Sequence, residues 1–106
     1  MLAWSYHPDA EAEVEATVSW LAERDPLVAE RFLDDLERCV QAMRSSPEAF
    51  PLWPGVSRRL QLRRCVMRSF SFSVAFVVER DQLFIVAVAH QRRKPRYWAK
   101  RLRAKT

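Results

Sequence analysis

Leu83-Phe84-Ile85-Val86-Ala87-Val88-Ala89 is an unbroken run of seven apolar residues, closed by His90. A strand with one wet face would alternate apolar and polar side chains. A run without polar interruption, rich in β-branched residues and this short, predicts a strand covered on both faces, hence central in its sheet. Immediately upstream, Phe72, Val74, Phe76 and Val78 alternate with Ser71, Ser73, Ala75 and Val77. That is the period of a strand. Arg80-Asp81 between the two runs fits a tight turn, although glycine, the usual turn residue, is missing there. Further back, Leu60 and Leu62 lead into Arg63-Arg64-Cys65-Val66-Met67-Arg68, a third strand-like segment.

The N-terminal half has a different period. Leu2, Trp4 and Tyr6 alternate with Ala3 and Ser5, which predicts a short strand. Pro8 suits the first position of a helix, and Asp9, Glu11 and Glu13 favour its positive end. Ala10, Val14, Val18 and Leu21 then recur at helical spacing to about Glu23. Asp25-Pro26 is a second helix start of the same kind. It is followed by the stripe Ala29, Phe32, Leu33, Leu36, Val40 and Met43. So short a connection makes the two helices an antiparallel hairpin. The segment from Ser45 to Gly55 holds three prolines and the chain's single glycine, and reads as a loop. From Pro95 the chain turns basic and helical through Arg103. The order β-α-α-β-β-β with a short C-terminal helix predicts an α+β fold. A helical hairpin packs on one face of a mostly antiparallel four-stranded sheet, arginines line the other face, and residues 1–106 form one domain.

Composition narrows the function. Apolar residues make up 49% of the 106, enough for a core, and no apolar run approaches the roughly 20 residues of a membrane span. With no secretory signal pattern at the N-terminus, the cytoplasm is the expected compartment. A lone glycine, Gly55, excludes the glycine-dependent dinucleotide and P-loop turns. There is no H-E-x-x-H, C-x-x-C or G-x-S-x-G either, so no metal or cofactor is called for. Cys39 and Cys65 lie in apolar-periodic segments and read as reduced packing residues. Charge is sharply divided. Residues 1–55 hold four arginines against eleven carboxylates, whereas residues 56–106 hold fourteen Lys/Arg against two acids, Glu79 and Asp81. Such a basic half attracts a polyanion or an acidic partner segment.

The element order, the helix start His7-Pro8-Asp9-Ala10 and the loop from Phe50-Pro51 to Gly55 together resemble the RelE/ParE toxin superfamily. So do Arg63-Arg64, the aromatic strand from Phe70 to Phe76, and above all Val86-Ala87-Val88-Ala89-His90-Gln91-Arg92-Arg93-Lys94-Pro95-Arg96-Tyr97-Trp98. The resemblance implies the toxin of a type II toxin–antitoxin system, a growth inhibitor held by a cognate antitoxin protein. Known members either bind DNA gyrase or cut messenger RNA on the ribosome. Nucleases of this fold place cations around the scissile phosphate and a tyrosine, histidine or glutamate near the C-terminus for acid–base work. The resemblance aligns the nuclease's strand arginine with Ser73, after Phe72, and its C-terminal tyrosine with Tyr97. A serine cannot neutralise a phosphorane, so the ParE-like, gyrase-binding reading leads. An mRNA endonuclease of the same fold is the first alternative, and a basic nucleic-acid-binding module or inactive toxin remnant the second.

Six residues are the expected contacts with the target: Arg64, Arg68, His90, Arg92, Arg93 and Tyr97. Arg64 and Arg68 share a strand face by alternation, with Arg63 opposite. His90 stands where the last strand ends, with a hydrogen-bonded structural role as its alternative. Arg92, Arg93 and Lys94 have no apolar pattern and read as a solvated loop. Tyr97 packed beside Trp98 on the sheet is the structural alternative to a catalytic tyrosine. Trp4 and Trp20 read as core residues, and Trp53, in the proline-rich loop, as a contact candidate. His7 reads as a helix cap.

Overall fold

The computed structural model describes residues 1–92 and 96–105, with side chains from Tyr97 to Leu102 in the latter segment. The elements are β1 (Ala3–Tyr6), α1 (Pro8–Arg24), α2 (Pro26–Ser45), β2 (Arg63–Val66), β3 (Phe72–Glu79), β4 (Gln82–His90) and α3 (Arg96–Lys105). Short 3₁₀ turns at Pro47–Ala49 and Arg58–Leu60 punctuate the loop between α2 and β2. The sheet order is β1-β4-β3-β2, with β1 parallel to β4 and the other pairs antiparallel. The α+β architecture is therefore the one expected from the sequence, and β4 occupies an interior position.

Local chemistry accounts for the element boundaries. His7 caps α1, its Nδ1 accepting from the Asp9 N–H at 3.0 Å, and Pro8 fills the first turn. Asp25 serves both helices. Its own N–H donates to the Leu21 carbonyl at 2.8 Å, and its Oδ1 accepts from the Leu27 N–H at 3.0 Å. One residue thus ends α1 and starts α2, which enforces the hairpin. The β3–β4 turn puts Arg80 and Asp81 at φ of 51° and 62°, the two left-handed positions of a two-residue hairpin turn.

The sheet carries a core on each face. Toward the hairpin, Phe32, Leu36 and Met43 of α2 and Ala10 and Val14 of α1 pack on Val74, Phe76, Leu83, Ile85 and Val88. On the opposite face, Trp98 and Leu102 of α3, with Leu62, cover Ala75, Val77, Phe84, Val86 and Ala87. The second face is thus not the arginine-lined surface the sequence suggested. The i, i+4 pair Trp98 and Leu102 gives the basic helix one apolar stripe, enough to dock it. A bulge in β4 makes this possible. Ala75 pairs with Ala87 but Phe76 with Ile85, which leaves Val86 as the extra residue, so Val86 and Ala87 both point to the α3 side.

Two further expectations are corrected. Trp20 is 54% and Trp4 39% exposed, so neither is a core residue. Strand β2 stops at Val66, and Arg68 falls in the turn that follows, so it does not share a strand face with Arg64. Cys39 and Cys65 are free thiols buried in the hairpin-side core. No helix among the described residues is long and apolar enough to cross a membrane.

Candidate binding surface

Arg64 pairs with Ala75 across the β2–β3 ladder, which aims its side chain at the α3 face. Its guanidinium lies 5.4 Å from the Trp53 ring, and its Nε is buried without a hydrogen-bond partner among the described residues. An orphaned guanidinium N–H is costly unless something supplies an acceptor. It borders a cavity of about 280 Å³ lined also by Trp53, Ser73, His90, Gln91 and Trp98. Trp53 and Trp98 meet edge to face at 5.3 Å and form one apolar wall. Ser73, opposite Ala89 in register and only 3% exposed, sits where the nuclease resemblance calls for an arginine.

His90 ends β4 opposite Phe72, with the two rings 5.4 Å apart. Its Nδ1 accepts from the Arg92 N–H at 3.1 Å, so in the neutral imidazole the proton sits on Nε2. That bond also shapes the turn that presents Arg92 to solvent. Arg64, His90 and Arg92 are therefore gathered at one end of the sheet. Arg93 lies outside the described residues. Arg68 does not line the cavity; the turn around it is anchored by Asp35, whose Oδ2 accepts from the Ser69 N–H at 3.0 Å. Burial pushes the Asp35 carboxyl up, but hydrogen bonds from Ser69, Arg38 and the Arg68 backbone outweigh it and hold the group below the usual carboxylate range.

Tyr97 belongs to a different cluster. Its hydroxyl donates to Glu13 Oε2 at 2.5 Å, and Arg101 donates to both Glu13 oxygens at 2.9 and 3.3 Å. Beyond β1, the outer edge of β4 has no strand neighbour among the described residues, and this cluster closes it: the Val88 N–H donates to Glu13 Oε1 and Arg101 donates to the Val86 carbonyl. The phenol and the Arg64 cavity are thus not one site. Sequence reading missed Glu13 and Arg101. The available signal was position 13 itself, a carboxylate three residues after Ala10 and four before Thr17, on the helix face that turns inward.

With this geometry in hand, the chain can be set beside known proteins. No curated protein matches it. Among solved structures, a chain of the chromosomal ParDE TA system from P. aeruginosa superposes with a TM-score of 0.69 at 16% identity. The match covers 85% of this chain and 96% of that one, a likeness of fold. The family model for the ParE toxin of the type II toxin–antitoxin system, parDE, matches residues 5–95, which include every element from β2 to β4 and nearly all of the N-terminal half. The chain belongs to the ParE toxin family.

Proposed function

We propose that this chain arrests growth by binding DNA gyrase in the cytoplasm, without covalent chemistry, and that a cognate antitoxin neutralises it. One observation carries the choice between gyrase and messenger RNA. The cavity beside Arg64 holds Ser73 at the position of the nuclease arginine, and the hydroxyl of Tyr97 is engaged by Glu13. Phosphodiester cleavage needs charge to neutralise the phosphorane and a free acid or base at the same atom. Here the aligned arginine is replaced by a serine and the aligned tyrosine serves a separate cluster, whereas Arg64, His90 and the exposed Arg92 form a surface suited to holding a partner.

An antitoxin has its own place to dock. A cleft of about 290 Å³ between β1 and α2 is lined by Trp4, Tyr6, Leu33, Leu36 and Val40. An amphipathic antitoxin helix would bury its apolar face there and direct acidic residues toward the basic half of the chain. Inducing the protein in a bacterium, with DNA-damage response and translation followed in parallel, separates the readings. The expected outcome is a DNA-damage response and loss of supercoiling by purified gyrase, with growth restored by co-expressing the adjacent small gene. Discrete cuts within codons, mapped by primer extension, would establish the endonuclease instead. No effect on growth would favour the inactive remnant.

A further inference from the structure

Trp20 is the feature the fold does not use. It projects from α1 with 54% of its surface exposed, although an indole is among the most favourable side chains to bury. It is also held in place. The Arg24 guanidinium lies 3.7 Å from the ring centroid and donates to the Trp20 carbonyl at 2.9 Å, so the indole carries a cation on one face. Trp20 opens onto a groove of about 650 Å³, whose far wall is Phe70 from the β2–β3 turn and Phe72 at the start of β3. Both phenylalanines are half-buried and stacked edge to face on Phe32, at 5.3 and 5.4 Å, which fixes that wall.

His90 closes one end of this groove and also lines the cavity of Arg64. The two depressions therefore meet at His90, at the end of the sheet, the Trp20 groove on its hairpin side and the Arg64 cavity on its α3 side. Among the described residues no acidic side chain lines either of them, while Arg64 lines the cavity, Arg24 covers Trp20 and the Arg92 N–H is bonded to His90. An orphaned guanidinium N–H on one side and an exposed indole on the other are the anchor types that dominate protein–protein contacts.

We infer that the Trp20 groove and the Arg64 cavity together form one docking surface for a polypeptide segment of the target. An apolar side chain of the segment enters between Trp20 and Phe70, a carboxylate further along satisfies Arg64 Nε, and between them the segment rounds the end of the sheet at His90. Charge complementarity selects an acidic segment. The walls favour a polypeptide over nucleic acid: Arg64 is the one arginine or lysine lining the cavity among the described residues, whereas a nucleic-acid track needs a row of cations. The inference deepens the gyrase reading and rests on it for the identity of the target.

The test compares Trp20→Ala, Arg64→Ala and the control Val78→Ala, which lies at the opposite end of β3 from Phe72. Inhibition of purified gyrase and growth arrest on induction are measured in parallel, after thermal denaturation has shown each variant folded. Trp20→Ala and Arg64→Ala are each expected to need at least about tenfold more protein for half-inhibition, a loss of about 1.4 kcal/mol, with Val78→Ala unchanged. If the wild type inhibits gyrase and both site variants match it, the docking surface is overturned and the gyrase reading stands. If the wild type arrests growth but leaves gyrase untouched, the gyrase reading falls. Growth arrest then decides the surface: lost in both site variants it holds, kept in both it is overturned. Binding of a single-stranded oligonucleotide that disappears with Trp20→Ala would overturn the polypeptide occupant.

Discussion

Glu13 holds four groups at once: the Val88 N–H, the Tyr97 hydroxyl and two nitrogens of Arg101. Its side chain and that of Arg101 are nearly withdrawn from solvent, so neither charge is well hydrated when the other is removed. Breaking such a pair costs far more than a surface ion pair, about 3–5 kcal/mol against 0–1. Glu13→Ala should therefore lose about 3 kcal/mol in urea denaturation. Tyr97→Phe removes one hydrogen bond to a carboxylate and should lose about 1.5 kcal/mol. The decisive readout for Tyr97→Phe is growth arrest, which should persist if, as proposed, the chain acts by binding and the phenol serves Glu13. This cluster was hidden from sequence reading because its members stand 84 and 88 positions apart. His7 and Asp25, by contrast, were legible as caps because their partners are two residues away.

At the scale of elements, α3 is where sequence and structure part most. Its cations drew attention to solvent, but the helix is docked by two apolar residues among them, Trp98 and Leu102, and tied to Glu13 by Tyr97 and Arg101. Trp98 is 1% exposed, meets Trp53 edge to face and forms a wall of the Arg64 cavity. Burying a large aromatic so completely makes its truncation cost about 3–5 kcal/mol. Trp98→Ala should lower the thermal midpoint sharply, and it should also weaken target inhibition by loosening Trp53, whereas Trp98→Phe should recover most of both. The hairpin and the sheet were legible because their periods are long and regular. The bulge at Val86 was not, since an apolar run such as Leu83 to Ala89 reads the same with or without an extra residue. That bulge aims Val86 and Ala87 together at α3, so the second core depends on a detail that hydrophobicity alone does not record.

Over the whole molecule, the split between an acidic N-terminal half and a basic C-terminal half is partly spent inside the fold. Arg101 faces Glu13 and Asp9, at 2.9 and 3.7 Å, so its charge is neutralised locally. What projects outward at the β4 end is Arg92, beside Arg64 and His90, and the sequence continues with Arg93 and Lys94. An exposed charge such as Arg92 carries little stability, because exposed pairs are worth at most about 1 kcal/mol. Its reach is toward a partner, over a Debye length of about 10 Å at 0.1 M salt. Gyrase inhibition should accordingly weaken steeply as salt rises, through slower association. Arg92→Ala with Arg93→Ala should abolish growth arrest while the thermal midpoint moves by only a few degrees, about what a loss of 1 kcal/mol produces in a domain of this size. The same double variant should still co-purify with the antitoxin, whose expected cleft lies between β1 and α2 and shares no residue with the β4 end. Full growth arrest by a folded double variant would move the target contact off Arg92 and Arg93 and onto Arg64 and the Trp20 groove alone.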